Sequence, residues 1–132
     1  MNTRMPLFRI AMPLLLTLAA LSPLANAAKA KPAKSMLGNA AQGSVSFKQY
    51  CTGCHGDTGG GDGPAAVALT PKPRNLQDFG YMSKVDDAAL LKVIAEGGAA
   101  VGKSPLMAAW KSSLSEAQVK DVAAYVRSLS KK

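Results

Sequence analysis

The chain's two cysteines and its single histidine stand together in the segment Cys51-Thr52-Gly53-Cys54-His55. Cysteines three residues apart on a helix lie on one face, about 5 to 6 Å apart, so each thiol can form a thioether with one vinyl group of the same porphyrin. The next residue, His55, is then carried over the ring as an iron ligand, and C-x-x-C-H is the signature of c-type haem attachment. We therefore predict one haem c, bound covalently through Cys51 and Cys54.

Three other uses of this motif account for its residues less well. A thioredoxin-like dithiol calls for a βαβ context, and the sequence has no convincing alternating strand pattern. Tetrahedral zinc needs four ligands, and the chain has no further cysteine or histidine to complete the set. A disulfide between Cys51 and Cys54 suits an exported protein but gives the adjacent His55 no role. Haem attachment gives a role to both cysteines and to the histidine.

The sixth iron ligand cannot be a second histidine of this chain, since it has only one. Sulfur, an amine, water or a gas remain, and methionine is the natural choice. Among Met36, Met82 and Met107 we favour Met107, which lies in a loop between the last two predicted helices. Met82 precedes the middle helix and stays open as a second candidate, and Met107 as an adaptable core residue is the alternative interpretation.

Helical periodicity places the motif at the end of a first helix that starts near Asn39. Gly43 would cost this helix about 1 kcal/mol unless another backbone packs there, so it marks a candidate crossing point. The following segment, residues 56–64, holds five glycines and one proline and is predicted to be a loop. The apolar stripe of the first helix comprises Gly43, Phe47, Tyr50 and Cys51.

Two further helices are predicted downstream. The middle helix begins with Asp86 as N-cap and ends at Gly97 or Gly98. The last helix begins with the capping-box spacing of Ser115 and Gln118. It continues with an apolar stripe at helical spacing, formed by Val119, Val122, Val126 and Leu129.

From Asn39 to Leu129 the chain resembles the class I cytochrome c family of small bacterial electron carriers. In that family a glycine and an aromatic residue on the first helix cross the last helix at an aromatic residue, and Gly43, Phe47 and Tyr125 match these positions. The resemblance implies an all-α cytochrome c fold. Three main helices and their loops would wrap around one covalently attached haem.

The resemblance also implies roles for residues around the iron. The Gly-Pro that contains Pro64 matches one whose proline carbonyl accepts a hydrogen bond from the proximal imidazole. Met107, followed closely by Trp110, matches the distal methionine, so His55 and Met107 inherit the axial positions. Arg74 and Trp110 are candidates for bonding a haem propionate, with an ordinary solvated charge as the alternative for Arg74.

The expected function is that of a periplasmic electron carrier, not an enzyme. A thioether ligand favours Fe(II) and raises the reduction potential, and six-coordination blocks access of a substrate to iron. One alternative is a haem-bearing electron-transfer subunit of a larger oxidoreductase. A haem-based ligand sensor with an open distal site is the other.

The chain is divided into three predicted parts. Residues 28–37 suggest a flexible basic tether, and residues 38–132 form the cytochrome c domain. Residues 1–27 are interpreted as a secretory signal peptide, which directs the protein to the periplasm. An uncleaved membrane anchor is the alternative, although Pro13 and Pro23 interrupt the apolar run. The signal rests on a basic start, an apolar stretch and a small-x-small cleavage site, namely Arg4, Arg9, Ile10–Ala20 and Ala25-Asn26-Ala27.

Charge narrows the choice of partners. The formal net charge is +8, and it falls by two when Arg4 and Arg9 leave with the signal peptide. The remaining lysines are scattered and few aromatic residues are available to stack on bases, so nucleic acid is a poor partner. We expect a redox protein donor and acceptor with acidic docking patches, transient association with an anionic membrane surface as a further possibility, and a monomer.

Overall fold

Helices joined by loops make up the part of the chain that the computed structural model describes, which is residue 1 and residues 36–130. The predicted signal peptide and tether fall almost entirely on residues 2–35, outside the described residues. The described residues form five α-helices: α1 (Ala40–Tyr50), α2 (Thr52–His55), α3 (Phe79–Met82), α4 (Asp87–Glu96) and α5 (Glu116–Leu129).

The predicted all-α fold is confirmed, because residues 36–130 contain no strand and the three predicted helices correspond to α1, α4 and α5. The described residues also form two 3₁₀ helices, Pro64–Ala68 and Gly98–Val101. Among the described helices, none combines the length and the apolar character needed to cross a membrane.

Helix α1 crosses α5 at Gly43, as the sequence predicts. A Cβ atom at Gly43 would overlap the carbonyl oxygen of Asp121 on α5, so only glycine lets the two backbones approach this closely. Phe47, one turn later and 1% exposed, packs against Tyr125 with the ring centres 5.1 Å apart and the rings tilted by 60°. This crossing positions α1, and with it the cysteine motif that follows.

Helix α5 is held at both ends by side chains. Ser115 and Gln118 form the predicted capping box at its start. Near its end the Arg127 guanidinium donates to the Asp87 carboxylate at 2.8 Å and to the Met82 carbonyl at 2.7 Å, and it also contacts the Val85 carbonyl. Arg127 therefore ties α5 to the segment that connects α3 and α4.

Helix α4 begins at its predicted N-cap, where the Asp86 carboxylate accepts the Ala89 amide at 2.6 Å. It ends at Gly97, whose φ of 84° lies in the left-handed region. Its last carbonyls are satisfied by the following loop, since the Trp110 amide donates to Ile94 at 3.1 Å. The end of α4 thus supports the loop that carries Met107.

Candidate haem site

The predicted iron ligands line the same cavity, which has a volume of about 380 Å³. Its lining brings Cys51, Cys54 and His55 to the same space as Met107. Much of the remaining wall is apolar, which suits the faces of a porphyrin ring. These apolar wall residues include Leu69, Pro71, Ile94 and Leu106.

The cysteine motif follows α1 directly and forms the short helix α2. The Cys51 amide donates to the Phe47 carbonyl at 2.8 Å, and the His55 amide donates to the Cys51 carbonyl at 2.8 Å. Burial, with a smaller contribution from Cys54, raises the pKa of the Cys51 thiol to about 11. Cys51 is therefore a neutral thiol before it is attached to haem. Two thiols and an imidazole at this spacing, in a largely apolar cavity, fit haem c.

One ring nitrogen of His55 is held by the backbone. Its Nδ1 lies 3.1 Å from the carbonyl oxygen of Arg74, which accepts the Nδ1 hydrogen. Burial lowers the pKa of His55, and the hydrogen bond to Arg74 opposes this shift only in part. The imidazole is thus neutral and oriented, with Nε2 left free to bind a metal.

The prediction that Pro64 accepts this hydrogen bond is wrong in the structure. Pro64 starts a 3₁₀ helix behind the cysteine motif, where the neighbouring Gly63 amide donates to the Cys54 carbonyl at 3.2 Å. It lines a separate, more polar cavity with Thr52 and Gly53. The glycine-rich loop folds back on α2, so the acceptor is supplied by a segment ten residues further along the chain.

The three candidate methionines lie in different environments. Met107 lines the same cavity as His55. Met82 is 2% exposed and belongs to the hydrophobic core, whereas Met36 is 55% exposed. The placement favours Met107, and its role as a ligand stays a prediction.

The cavity has a cationic wall, of which only Arg74 could be named from the sequence. The Arg74 guanidinium lies 4.0 Å from the centre of the Tyr81 ring, and the Lys103 amine lies 5.4 Å from it. No spacing in the sequence links these residues. Trp110 also lines the cavity, and its ring packs against that of Tyr50 with the centres 5.5 Å apart and the rings tilted by 53°. Both propionate candidates, Arg74 and Trp110, thus border the predicted haem site.

Comparison with known proteins identifies the family. Residues 38–126 match the family model described as cytochrome c oxidase, cbb3-type, subunit III. The chain belongs to this family. It is a c-type cytochrome whose cofactor is haem c, and its domain transfers electrons without being catalytic by itself.

A curated relative in the cbb3 subunit III family is the cbb3-type cytochrome c oxidase subunit FixP of Bradyrhizobium diazoefficiens. It is 35% identical over 91 residues, which is 69% of this chain and 28% of the relative. The chain therefore spans less than a third of this relative's length.

Two solved structures share the fold. A chain of the reducing HAO-like protein complex of Kuenenia stuttgartiensis is 28% identical with a TM-score of 0.54, and the match covers 67% of this chain and 41% of that one. A solved c-type cytochrome is 26% identical with a TM-score of 0.55, and the match covers 67% of this chain and 98% of that one.

Proposed function

We propose that this member of the cbb3 subunit III family is an electron-transfer subunit that passes single electrons within a larger oxidoreductase complex. The observation that carries the electron-transfer part of this proposal is that the C-x-x-C-H motif and Met107 line the same cavity. The relatives support the complex, because the FixP relative is named as an oxidase subunit and a structural neighbour is a chain of a protein complex. They favour this alternative over the free carrier expected from the sequence.

The chain's own residues would hold and tune the cofactor. Cys51 and Cys54 provide the two thioether links, and His55 provides Nε2 while the Arg74 carbonyl holds Nδ1. Met107 provides a soft sulfur that favours Fe(II). Haem c supplies the one-electron couple between Fe(II) and Fe(III). Because all the proposed ligands come from a cavity wall held by backbone hydrogen bonds, little needs to rearrange when the electron moves.

Arg74 and Lys103 are proposed to neutralise the haem propionates. Both line the cavity, and within residues 36–130 neither forms an ion pair with a carboxylate. Both contact the Tyr81 ring, so two positive charges lie on the same part of the protein, where they would attract an anion. Trp110, on the same cavity, offers an indole N–H to a carboxylate.

The same wall is proposed as the docking face for an acidic redox partner. Lys72, which is not assigned to a propionate, also lines the cavity, and no acidic residue is among the cavity's described lining, whereas Asp57 and Asp62 line the polar cavity beside α2. Such charge separation orients an approaching negative surface and speeds encounter. It would bring the partner to the cavity that holds the haem.

Replacing Lys72 by Glu is expected to slow electron transfer with the physiological partner about tenfold at low salt, because steered association gains at least that factor. In stopped-flow measurements the difference should shrink as ionic strength rises and charges are screened. Lys48, on α1 and not part of the cavity wall, provides the matched control as Lys48→Glu. Equal effects of both substitutions, or rates indifferent to salt, would contradict docking at this face.

Purification of the native protein under mild conditions tests the proposed function. We expect it to co-purify with other redox subunits, to carry one covalent haem, and to begin at Ala28 by intact-mass analysis because residues 1–27 direct export to the periplasm. A free carrier is the second candidate, since one matched c-type cytochrome consists almost entirely of this fold. Isolation as an unassociated haem protein would favour that candidate, and a chain that retains residues 1–27 would contradict cleavage.

A further inference from the structure

The loop that carries Met107 is clamped to the backbone just after α4. The Gly98 amide donates to the Met107 carbonyl at 3.0 Å, and the Gly98 carbonyl accepts the Lys103 amide at 2.9 Å. A single residue, Gly98, therefore bonds both arms of the loop. The Lys111 amide adds a further bond to the Ala95 carbonyl at 3.0 Å.

Neither Gly97 nor Gly98 has room for a side chain. A Cβ atom at Gly98 would overlap the Ser104 carbonyl oxygen and would lie 3.3 Å from the Cβ of Met107. A Cβ atom at Gly97 would lie 2.8 Å from the Met107 carbonyl oxygen and 3.1 Å from the Ala109 amide. The opposing atoms are largely backbone, so they cannot move aside as a flexible side-chain tip would.

We propose that Gly98, assisted by Gly97, is the positioning residue for the sixth iron ligand. The absence of a side chain sets how closely the loop approaches the end of α4, and this fixes the backbone from which the Met107 side chain enters the cavity. The inference rests on the proposed ligation by Met107. A ligand must be held to within about 0.5 Å of its productive position, and an inserted methyl group moves the backbone by more than that.

Gly98→Ala in the haem-loaded protein is the test. We expect loss of the weak long-wavelength sulfur-to-iron absorption band of the ferric protein and binding of carbon monoxide to the ferrous protein, as for Met107→Ala. Covalent haem content and helical circular dichroism should be retained. A purely structural role would lower the unfolding midpoint without removing the band.

Gly102 provides the matched control in the same loop. Its φ of 68° favours glycine, unlike the φ of Gly98, and apart from its chain neighbours no described atom lies within 4 Å of a Cβ placed there. Gly102→Ala therefore introduces backbone strain of about 1 to 2 kcal/mol without a collision, and it should keep the band. Loss of the band in both variants would show that any disturbance of this loop displaces the ligand, with no specific role for the close approach at Gly98, and would overturn the inference.

The outcomes separate this inference from the proposed ligation. A band that persists in Met107→Ala refutes the ligation itself. A band lost in Met107→Ala but kept in Gly98→Ala refutes the positioning role. If Gly98→Ala does not accumulate, the positioning role is tested in two other ways. One is the absorption band of Gly97→Ala, which should also be lost, and the other is hydrogen exchange of the unmodified protein. The Gly98 amide should exchange slowly because it donates to Met107, and exchange at the rate of a free amide would contradict the proposal.

Discussion

Replacing Met107 by alanine is expected to open the sixth coordination position of the iron. The soft sulfur that stabilises Fe(II) is then lost, so the reduction potential should fall, by a fraction of the ~0.8 V that axial ligands span. Carbon monoxide should bind the ferrous protein, and the sulfur-to-iron band of the ferric protein should disappear. Potentiometry and absorption spectra before and after addition of carbon monoxide measure these changes.

Met82→Leu is the appropriate control for this experiment. Met82 is 2% exposed in the core, so alanine there would create a cavity and confuse instability with loss of a ligand. Leucine conserves volume at a cost below about 1.5 kcal/mol and removes the sulfur. If the band survives in Met107→Ala and disappears in Met82→Leu, the ligand assignment is wrong. If the unmodified protein lacks the band and binds carbon monoxide readily, a ligand sensor becomes the better interpretation.

The helix starts could be predicted because their signals are local. Asn39, Asp86 and Ser115 each accept amide hydrogens two or three residues ahead, so the cap and the groups it satisfies lie in one short window of sequence. The crossing at Gly43 was also predictable, since a glycine within an apolar helical stripe weakens the helix unless a second backbone packs against it. The family resemblance supplied the partner helix.

The interactions around the imidazole could not be predicted in the same way. The acceptor for His55 is the carbonyl of Arg74, nineteen positions away, and every residue type has such a carbonyl. A Gly-Pro nearer in sequence was therefore chosen wrongly, because nothing in the residue types shows how the intervening loop folds. The contact of two cations with Tyr81 is equally invisible, since nothing in the residue types indicates that Lys103 approaches the ring that Arg74 contacts.

Membership of a complex is also poorly encoded in the residues that bind the cofactor. The cysteine motif, its histidine and a distal methionine serve a free carrier and an oxidase subunit equally well, because the chemistry at the iron is the same in both. The difference lies in surfaces and in neighbouring chain segments. The proposal of a complex therefore rests on similarity to an oxidase subunit more than three times as long as the matched region.

Replacing Gly43 by alanine, at the crossing of α1 and α5, is expected to change the free energy of unfolding strongly. In an exposed helix this change would stabilise the protein by roughly 0.5 to 1 kcal/mol, because alanine loses less backbone entropy on folding. Here the added methyl group would overlap the Asp121 carbonyl oxygen and would lie 2.9 Å from the Val122 amide. The helices must separate, which also disturbs the buried contact of Phe47 with Tyr125.

We therefore expect the opposite sign, a loss of about 3 kcal/mol, at the upper end of the usual cost of overpacking a core. Denaturant unfolding of the ferric protein should show a lower midpoint with an unchanged slope. Gly53→Ala is the control, because no described atom lies within 4 Å of a Cβ at this helical position on α2. It should be neutral or slightly stabilising. Equal behaviour of the two variants would mean that α1 and α5 do not meet at Gly43, and the orientation of the cysteine motif would then need another support.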